Sequence, residues 1–351
     1  MDSSITPHLA CPRSRPRRIA DDYAPPYPAW SARVDPAIRQ VVMASYGVQW
    51  REPGDAAAAL AHVRALRATL DGDGDGDGDG GVRHVDLARY VDEAGYDTFV
   101  LQPYWTDPAA FRRWEARADV AALLAADTGL GHFSEILTPT VERLETLYST
   151  EDEMEGLGRA LERRSPPVQE HAYWGSARDR FPIAQTDALE PSGQLGFAAD
   201  GAGRITVRGH DNIAIIRSGQ DWGPTEGEER RLYLSEIEPV LRAGMDFLRD
   251  RGGECGCYLN RYMRIVDMDG APQEKSFGWS YWRSLGAMEA WSEAHPSHLA
   301  IFGTFMRIVQ QLNFDLKLRL WHEVYVVTPD QQFYDYRNCH PDTGFLKQMP
   351  R

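Results

Sequence analysis

An internal repeat is the feature of this 351-residue sequence that most restricts its possible folds. Three pairs of segments share residue types at matching spacings and keep their order: VVMASYGVQW (41–50) with IAIIRSGQDW (213–222), YWTDPAAFRRW (104–114) with YWRSLGAMEAW (281–291), and LETLY (144–148) with WHEVY (321–325). The offset is 222 − 50 = 172 for the first pair and 281 − 104 = 177 for the second and third. Self-similarity in a fixed order indicates that one structural unit occurs twice.

Each half has the same pattern of predicted elements. A strand rich in β-branched residues (38–48 and 211–219) precedes a helix with apolar residues at three- and four-residue spacing (55–70 and 226–250). Two strands follow, then a helix containing Trp, then a last strand that contains LETLY or WHEVY. The order βαββαβ is that of the ferredoxin-like split unit. We therefore predict an α+β fold, in which duplicated ferredoxin-like units form a single-chain barrel similar to a dimeric α+β barrel, with peripheral helices.

The repeat also predicts the division of the chain. The five predicted segments are an N-terminal extended arm (1–37), a first ferredoxin-like half (38–149), an insertion that carries Arg178 (150–208), a second ferredoxin-like half that carries His298 (209–330) and a C-terminal tail (331–351).

Charge and hydropathy exclude several classes of protein. The net charge of -14 and the pI of about 5.2 argue against a nucleic-acid partner, because phosphate binding needs clustered cations. No apolar run reaches the 18 residues of a membrane span, and no apolar segment of the signal-peptide kind lies near the start. Four cysteines are too few for a disulfide framework in a chain of this length. We predict a soluble, cytoplasmic protein.

One low-complexity run, DGDGDGDGDGG (71–81), begins like an EF-hand loop. Such a loop needs a bidentate glutamate at its twelfth position, and that position is Val82. The composition therefore favours a flexible, solvated loop over a calcium site.

Two histidines in HPSH (295–298) are candidate metal ligands. Pro296 is typical of the first turn of a helix, and His298 is followed by the apolar residues Leu299, Ile301, Phe302 and Phe305. A histidine in an apolar pocket suits an axial haem ligand, although a capping or core histidine has the same pattern. The zinc motif H-E-x-x-H and the covalent haem motif C-x-x-C-H are both absent from the sequence.

A third histidine, His322, lies in the strand LRLWHEVYVV. Alternation places Leu320, His322 and Val324 on one face, and histidine can give or take a proton near neutral pH. The 177-residue offset makes Glu145 the counterpart of His322. We therefore hypothesise that Glu145 and His322 both face the barrel interior.

Two further polar residues have both a functional and a structural interpretation. Ser218 ends a strand before Gly219, where a hydroxyl can contact a ligand but is also typical of a turn. Arg178 belongs to an Arg-Asp-Arg cluster, which on its own is more typical of surface ion pairs.

Longer motifs containing these residues resemble one family: EHAYWGSARDRFPIAQTD, GHDNIAIIRSGQDW, HPSHLAIF, WHEVYV and YRNCHPDTG. Together they resemble the haem-containing aldoxime dehydratases of the phenylacetaldoxime dehydratase type, and the resemblance covers nearly the whole chain. The Asp-Gly run and the extra residues around QQLNFDLKL (310–318) depart from the family pattern but leave these motifs intact.

The resemblance implies a lyase that removes water from an aldoxime, R–CH=N–OH, to give a nitrile. It implies haem b, ferrous in the active state, with the substrate nitrogen on the iron and His298 as the axial ligand. It further implies His322 as the acid–base residue, Ser218 and Arg178 in the same pocket, and a glutamate that we place at Glu145, with Glu142 as the alternative. Members of the family commonly form homodimers.

Three other functions remain open from the sequence. A peroxidase-like haem enzyme of the same barrel type is one, but such enzymes usually have a distal arginine where this sequence predicts a histidine and a serine. A non-catalytic haem carrier or sensor is the second, and it would not need an acid–base histidine. A zinc hydrolase is the third and lacks its motif.

Overall fold

The computed structural model describes residues 1–71, 81–172, 176–201 and 203–350. The strands are β1 Val42–Trp50, β2 His84–Val91, β3 Asp97–Trp105, β4 Gly131–Leu137, β5 Leu144–Tyr148, β6 Gly196–Ala199, β7 Arg204–Arg208, β8 Ile213–Asp221, β9 Cys257–Val266, β10 Pro272–Trp282, β11 Arg319–Val327 and β12 Gln332–Arg337. The helices are α1 Ala56–Ala68, α2 Pro108–Glu115, α3 Ala118–Ala125, α4 Leu157–Leu161, α5 Ser176–Arg180, α6 Gly227–Leu232, α7 Glu238–Arg251, α8 Leu285–Ala294 and α9 Pro296–Gln311. A π-helical turn, Tyr233–Ile237, joins α6 to α7.

All of these strands belong to one large antiparallel sheet in a mixed α/β fold. Their order is β5-β11-β8-β10-β9-β2-β3-β1-β4-β12-β7-β6. Two groups of four have corresponding positions, β4-β1-β3-β2 and β11-β8-β10-β9, and they meet where β2 pairs with β9. The Tyr-Trp pairs of the sequence repeat end the corresponding strands β3 and β10.

The sheet is strongly curled, because strands that are distant in its order touch through their side chains. Tyr104 on β3 donates a hydrogen bond to Glu323 on β11, with 2.6 Å between the oxygens. Five strand spacings separate β3 from β11 in the sheet order, which in a flat sheet would be about 24 Å. Residues from both halves therefore share one core, among them Met43, Phe133, Phe277 and Trp279.

Helices cover the other face of the sheet. In the first half α1 packs on β1 and β3; in the second half α7 packs on β9, and α8 packs on β8 and β10. Helix α9 lies against α7 and α8. Within the described ranges, no helix is both long and apolar enough to cross a membrane.

The pairing of LETLY with WHEVY as equivalent last strands is wrong. LETLY is β5, which pairs directly with β11, so these two strands are neighbours in the sheet. The strand whose position in the first group corresponds to that of β11 is β4, which the repeat did not reveal. Its sequence, GHFSEIL, has a single β-branched residue and therefore gives a weak strand signal.

Segments predicted to lie outside the two halves also contribute to the sheet. Residues 150–208 contain β6 and β7, and residues 331–351 contain β12, which pairs with β4 and β7. Phe345, after β12, is fully buried, so this end of the chain is part of the core. The five-segment division itself stays a prediction. Most of the Asp-Gly run (72–80) lies outside the described residues.

Candidate active site

A cavity of about 310 Å³ lies between the sheet and the helices of the second half. Strands β8, β10 and β11 form one wall, and α7, α8 and α9 form the other. Most of its lining is apolar, for example Leu241, Met245, Leu248, Ile301, Phe302 and Phe305. The polar side chains of the lining include His171, Arg180, Ser218, Glu289, His298 and His322.

On the sheet wall, His322 forms a compact group with a carboxylate and a guanidinium. Its Nε2 lies 3.0 Å from Glu145 Oε1 and 2.9 Å from Arg180 Nη2. Arg180 also donates to Glu145 through Nε at 2.6 Å and Nη2 at 3.2 Å. As a neutral ring His322 can accept from Arg180, and as an imidazolium it can donate to Glu145. Both protonation states of the ring therefore have a partner.

Glu145 supplies a fixed negative charge to this group. Burial on its own raises the pKa of the Glu145 carboxyl, but Arg180 and His322 outweigh burial and lower the pKa to about 2. Glu145 is therefore ionised at neutral pH. Of the two candidate glutamates, Glu145 and not Glu142 makes the contact with His322.

Ser218 lies beside His322 on the neighbouring strand. The two residues are direct partners in the β8–β11 pairing, and both side chains line the cavity. Directly paired residues of antiparallel strands point to the same face. The structure thus brings a hydroxyl next to the histidine group.

The prediction that Arg178 completes this group is wrong about the contacts, because Arg180 occupies that place. Arg178 instead donates to Glu289 and to the Ala188 carbonyl. Both arginines lie on the short helix α5, where two residues correspond to about 200° of rotation, so they point in nearly opposite directions. Arg180 also donates to the Ser176 hydroxyl one turn earlier, which helps to hold its side chain toward the cavity.

The hypothesis that Glu145 and His322 face the barrel interior is also wrong. Both lie on the helix-covered face: Glu145 pairs with Val324, which lines the cavity together with His322. The opposite face of β11 carries Trp321 and Glu323 into the shared core. The predicted alternation of Leu320, His322 and Val324 is confirmed, since all three line the cavity.

On the helix wall, His298 is a buried, neutral imidazole. Burial lowers its pKa to about 4, although the Ser292 backbone, which hydrogen-bonds the ring, acts in the opposite direction. The Trp291 ring packs edge-on at 4.7 Å between centroids. Residues three, four and seven positions later, Ile301, Phe302 and Phe305, line the same cavity, whereas Leu299 is exposed.

The neighbouring His295 caps helix α9, whereas His298 lines the cavity. At the N-cap of α9, the His295 Nδ1 accepts from the Ser297 N–H at 3.3 Å, and the His295 ring packs on Phe247 at 4.3 Å. The HPSH motif thus combines a helix cap with a cavity residue.

A further histidine of the cavity, His171, was missed by the sequence reasoning. Its Nδ1 is buried and, within the described part of the chain, makes no hydrogen bond. Burial, and after it the Arg180 charge, lowers the pKa of His171 to about 4. His171 stands in the EHAYWG motif, but nothing in its spacing distinguishes it from a structural histidine.

The residues of the cavity fit a haem. A neutral imidazole whose ring is already held by a backbone group is suited to ligate iron, and an apolar lining suits the macrocycle. His322 cannot serve equally well as the ligand, because its Nε2 is engaged by Arg180 and Glu145. Of the two histidines, His298 is thus the one with the surroundings of an iron ligand.

Comparisons with known proteins agree with this geometry. The family model "Haem-containing dehydratase" matches residues 44–345. The chain is 46% identical to the aliphatic aldoxime dehydratase of Rhodococcus erythropolis over 99% of this chain and 98% of that protein. It is 32% identical to the phenylacetaldoxime dehydratase of Bacillus sp. strain OxB-1 over 94% of each chain.

A solved structure, that of an aldoxime dehydratase in complex with butyraldoxime, superposes with a TM-score of 0.92 at 45% identity, covering 99% of this chain and 96% of that one. The resemblance found in the sequence motifs is confirmed by these matches. The chain belongs to the haem-containing dehydratase family.

Proposed function

We propose that this chain is a lyase that dehydrates aldoximes to nitriles, with haem b held by His298 and with His322 as the acid–base residue. One observation carries the proposal: a single cavity contains a buried neutral histidine and a second histidine that contacts both a carboxylate and a guanidinium. The first has the character of an iron ligand and the second that of a proton donor.

The group around His322 supplies the proton that the reaction needs. Hydroxide is a poor leaving group, so the oxime oxygen must be protonated as the N–O bond breaks. His322 as an imidazolium, stabilised by the Glu145 carboxylate 3.0 Å away, can donate that proton. The neutral ring can then accept the proton of the aldoxime C–H, which returns His322 to its starting state.

Ser218 and Arg180 assist this transfer without giving up a proton of their own. Ser218, directly beside His322, is placed to hydrogen-bond the oxime oxygen. Arg180 contacts both Glu145 and His322, so it fixes the position of the imidazole ring. The apolar lining excludes water that would compete for these groups.

Haem, when bound in its ferrous form, supplies an iron that can take the oxime nitrogen and pass electron density toward the N–O bond. Since the sequence has no C-x-x-C-H motif, the haem is held without thioether bonds. The apolar cavity favours aldoximes with a hydrocarbon substituent, and relatives named for aliphatic and for phenylacetaldoxime substrates support that range.

Three finer predictions accompany this proposal. The two corresponding strand groups, β4-β1-β3-β2 and β11-β8-β10-β9, support duplicated ferredoxin-like units that form a barrel. A homodimer follows from the resemblance to the family. The cytoplasmic location expected from the sequence stays a prediction.

The visible spectrum of haem-loaded protein tests the function. Spectra are taken under anaerobic conditions before and after dithionite, with butyraldoxime or phenylacetaldoxime, and the nitrile is measured in the same samples. We expect a Soret shift with oxime and nitrile formation after reduction. Protein that binds haem but forms no nitrile in either state would be a carrier or sensor, and the proposal would fail.

A further inference from the structure

An ion pair that the proposed chemistry does not use holds α8 in place. Arg178 Nη2 donates to Glu289 Oε2 at 2.7 Å, and Arg178 Nε lies 3.2 Å from both carboxylate oxygens. Glu289 is buried on α8, and its Oε1 also lies 3.3 Å from Arg18 Nη1. A buried carboxylate between two guanidinium groups has strong, directional bonds. It therefore fixes α8 relative to α5 and to the N-terminal arm.

Helix α8 is also the element that orients His298. The Ser292 backbone hydrogen-bonds the His298 ring, and the Trp291 ring packs against it. Glu289 lies three residues before Ser292, on the same face of the helix. A group that hydrogen-bonds the second nitrogen of a ligating histidine sets the direction and basicity of the ligand. The position of α8 thus determines how the His298 ring is aimed into the cavity.

We propose that Arg178 and Glu289 are a positioning pair for the haem ligand: their ion pair holds α8 so that Ser292 keeps His298 aimed into the cavity. The proposal rests on the assignment of His298 as the iron ligand. Arg178 acts through Glu289, and its guanidinium lies outside the cavity lining. Loss of the ion pair should therefore change the bond between iron and imidazole more than it changes proton transfer at His322.

The three residues of the Arg-Asp-Arg cluster consequently contact three different parts of the structure. Arg178 holds the helix wall through Glu289, and Arg180 holds the sheet wall through Glu145 and His322. Between them, the Asp179 carboxylate accepts from the backbone N–H groups of Arg18 and Ile19 on the N-terminal arm.

The test compares Glu289→Gln with Glu293→Gln in the haem-loaded enzyme. Both residues lie on α8 and contact Arg18, but Glu293 is more exposed and its partner is Arg18, not Arg178. Two quantities are measured: the rate of haem transfer to excess apomyoglobin and the iron–histidine stretching frequency of the ferrous protein by resonance Raman. We expect about tenfold faster haem loss and a shifted frequency for Glu289→Gln, and parental values for Glu293→Gln.

Arg178→Lys is the second variant, because it keeps the charge but loses the bidentate contact with Glu289. It should shift the stretching frequency in the same direction as Glu289→Gln. Parental haem loss and frequency in both variants would overturn the proposal. If His298→Ala also kept its haem and spectrum, the ligand assignment would fail instead, so the two failures are distinguishable.

Discussion

The histidines on the two walls of the cavity have opposite electrostatic surroundings. The sheet wall holds ionised groups within hydrogen-bond distance of His322, namely Glu145 and Arg180. The helix wall surrounds His298 with Trp291, Ile301 and other apolar side chains, and its ring is hydrogen-bonded by a backbone group. Two histidines that share one cavity thus have very different environments.

The difference shows how environment assigns a role to the same side chain. Burial lowers the pKa of His298 to about 4, so at neutral pH the ring stays unprotonated and has a lone pair for a metal. Next to His322, Glu145 stabilises the protonated ring and Arg180 stabilises the neutral ring. A proton carrier needs both states to be accessible, whereas a ligand needs only one.

The largest effect is expected from removal of the helix-wall histidine. His298→Ala should yield folded protein without stable haem and without nitrile formation, because the cavity loses the proposed iron ligand. The haem content is read from the Soret band and the fold from far-UV circular dichroism. A variant that retained full haem and activity would transfer the ligand role to another residue.

Removal of the sheet-wall histidine should separate haem binding from catalysis. His322→Ala should keep its haem, while kcat falls by about 10²–10⁴-fold, the usual contribution of a general acid–base group. Anaerobic nitrile formation and a haem titration measure the two properties. Equal losses of haem and of kcat would mean that the walls do not have separate roles.

The two arginines of α5 offer a matched pair of conservative changes. Arg180→Lys should lower kcat by about 10–100-fold, since charged hydrogen bonds contribute about 1.5–3 kcal/mol, and should leave haem release unchanged. Arg178→Lys should speed haem release and leave the pH profile of kcat unchanged. If Arg180→Lys changed haem release and Arg178→Lys changed kcat, or if both variants behaved alike, the two arginines would not serve separate walls of the cavity.

In the haem-free protein, the two walls should also lose their contributions to the free energy of unfolding in different ranges of pH. The pKa of His298 is lowered to about 4, so its contribution is present above the ordinary value of 6.5 and is lost as the pH falls through 4. That loss corresponds to about 3 kcal/mol. The pKa of Glu145 is lowered to about 2, so its contribution is lost between about 4.5 and 2.

Urea unfolding at several pH values measures both contributions. In His298→Phe, the free energy of unfolding should fall less between pH 6.5 and 4 than in the wild type. In Glu145→Gln, it should fall less below pH 4.5. If the wild type and His298→Phe lost stability in parallel between pH 6.5 and 4, His298 would not be the buried neutral group described here.

Period-2 alternation and the motif resemblance predicted much of this site from the sequence. His298, His322 and Ser218 line the cavity together, and Glu145 contacts His322. Glu145 was found for the wrong reason, because β5 is the neighbour of β11 and not its equivalent. The contact arises from strand pairing, which a sequence offset does not encode.

Two features could not be read from the sequence. Both faces of β11 are largely apolar, with Leu320 and Val324 on one and Trp321 and Tyr325 on the other, so alternation cannot tell which face the helices cover. The choice between Arg178 and Arg180 depends on the rotation of a five-residue helix, which is set by tertiary packing.

The smallest effect should come from the hydroxyl beside His322. Ser218→Ala removes one neutral hydrogen bond, worth about 1 kcal/mol, so kcat should fall by about 5–10-fold. Because Ser218 is paired with His322 but bonds none of its charged partners, the variant should keep the parental haem spectrum and pH profile. Ser235→Ala, at an exposed serine on the π-helical turn, is the control. A loss as large as that of His322→Ala would mean that the serine itself moves the proton, and the sheet wall would then contain two acid–base residues instead of one.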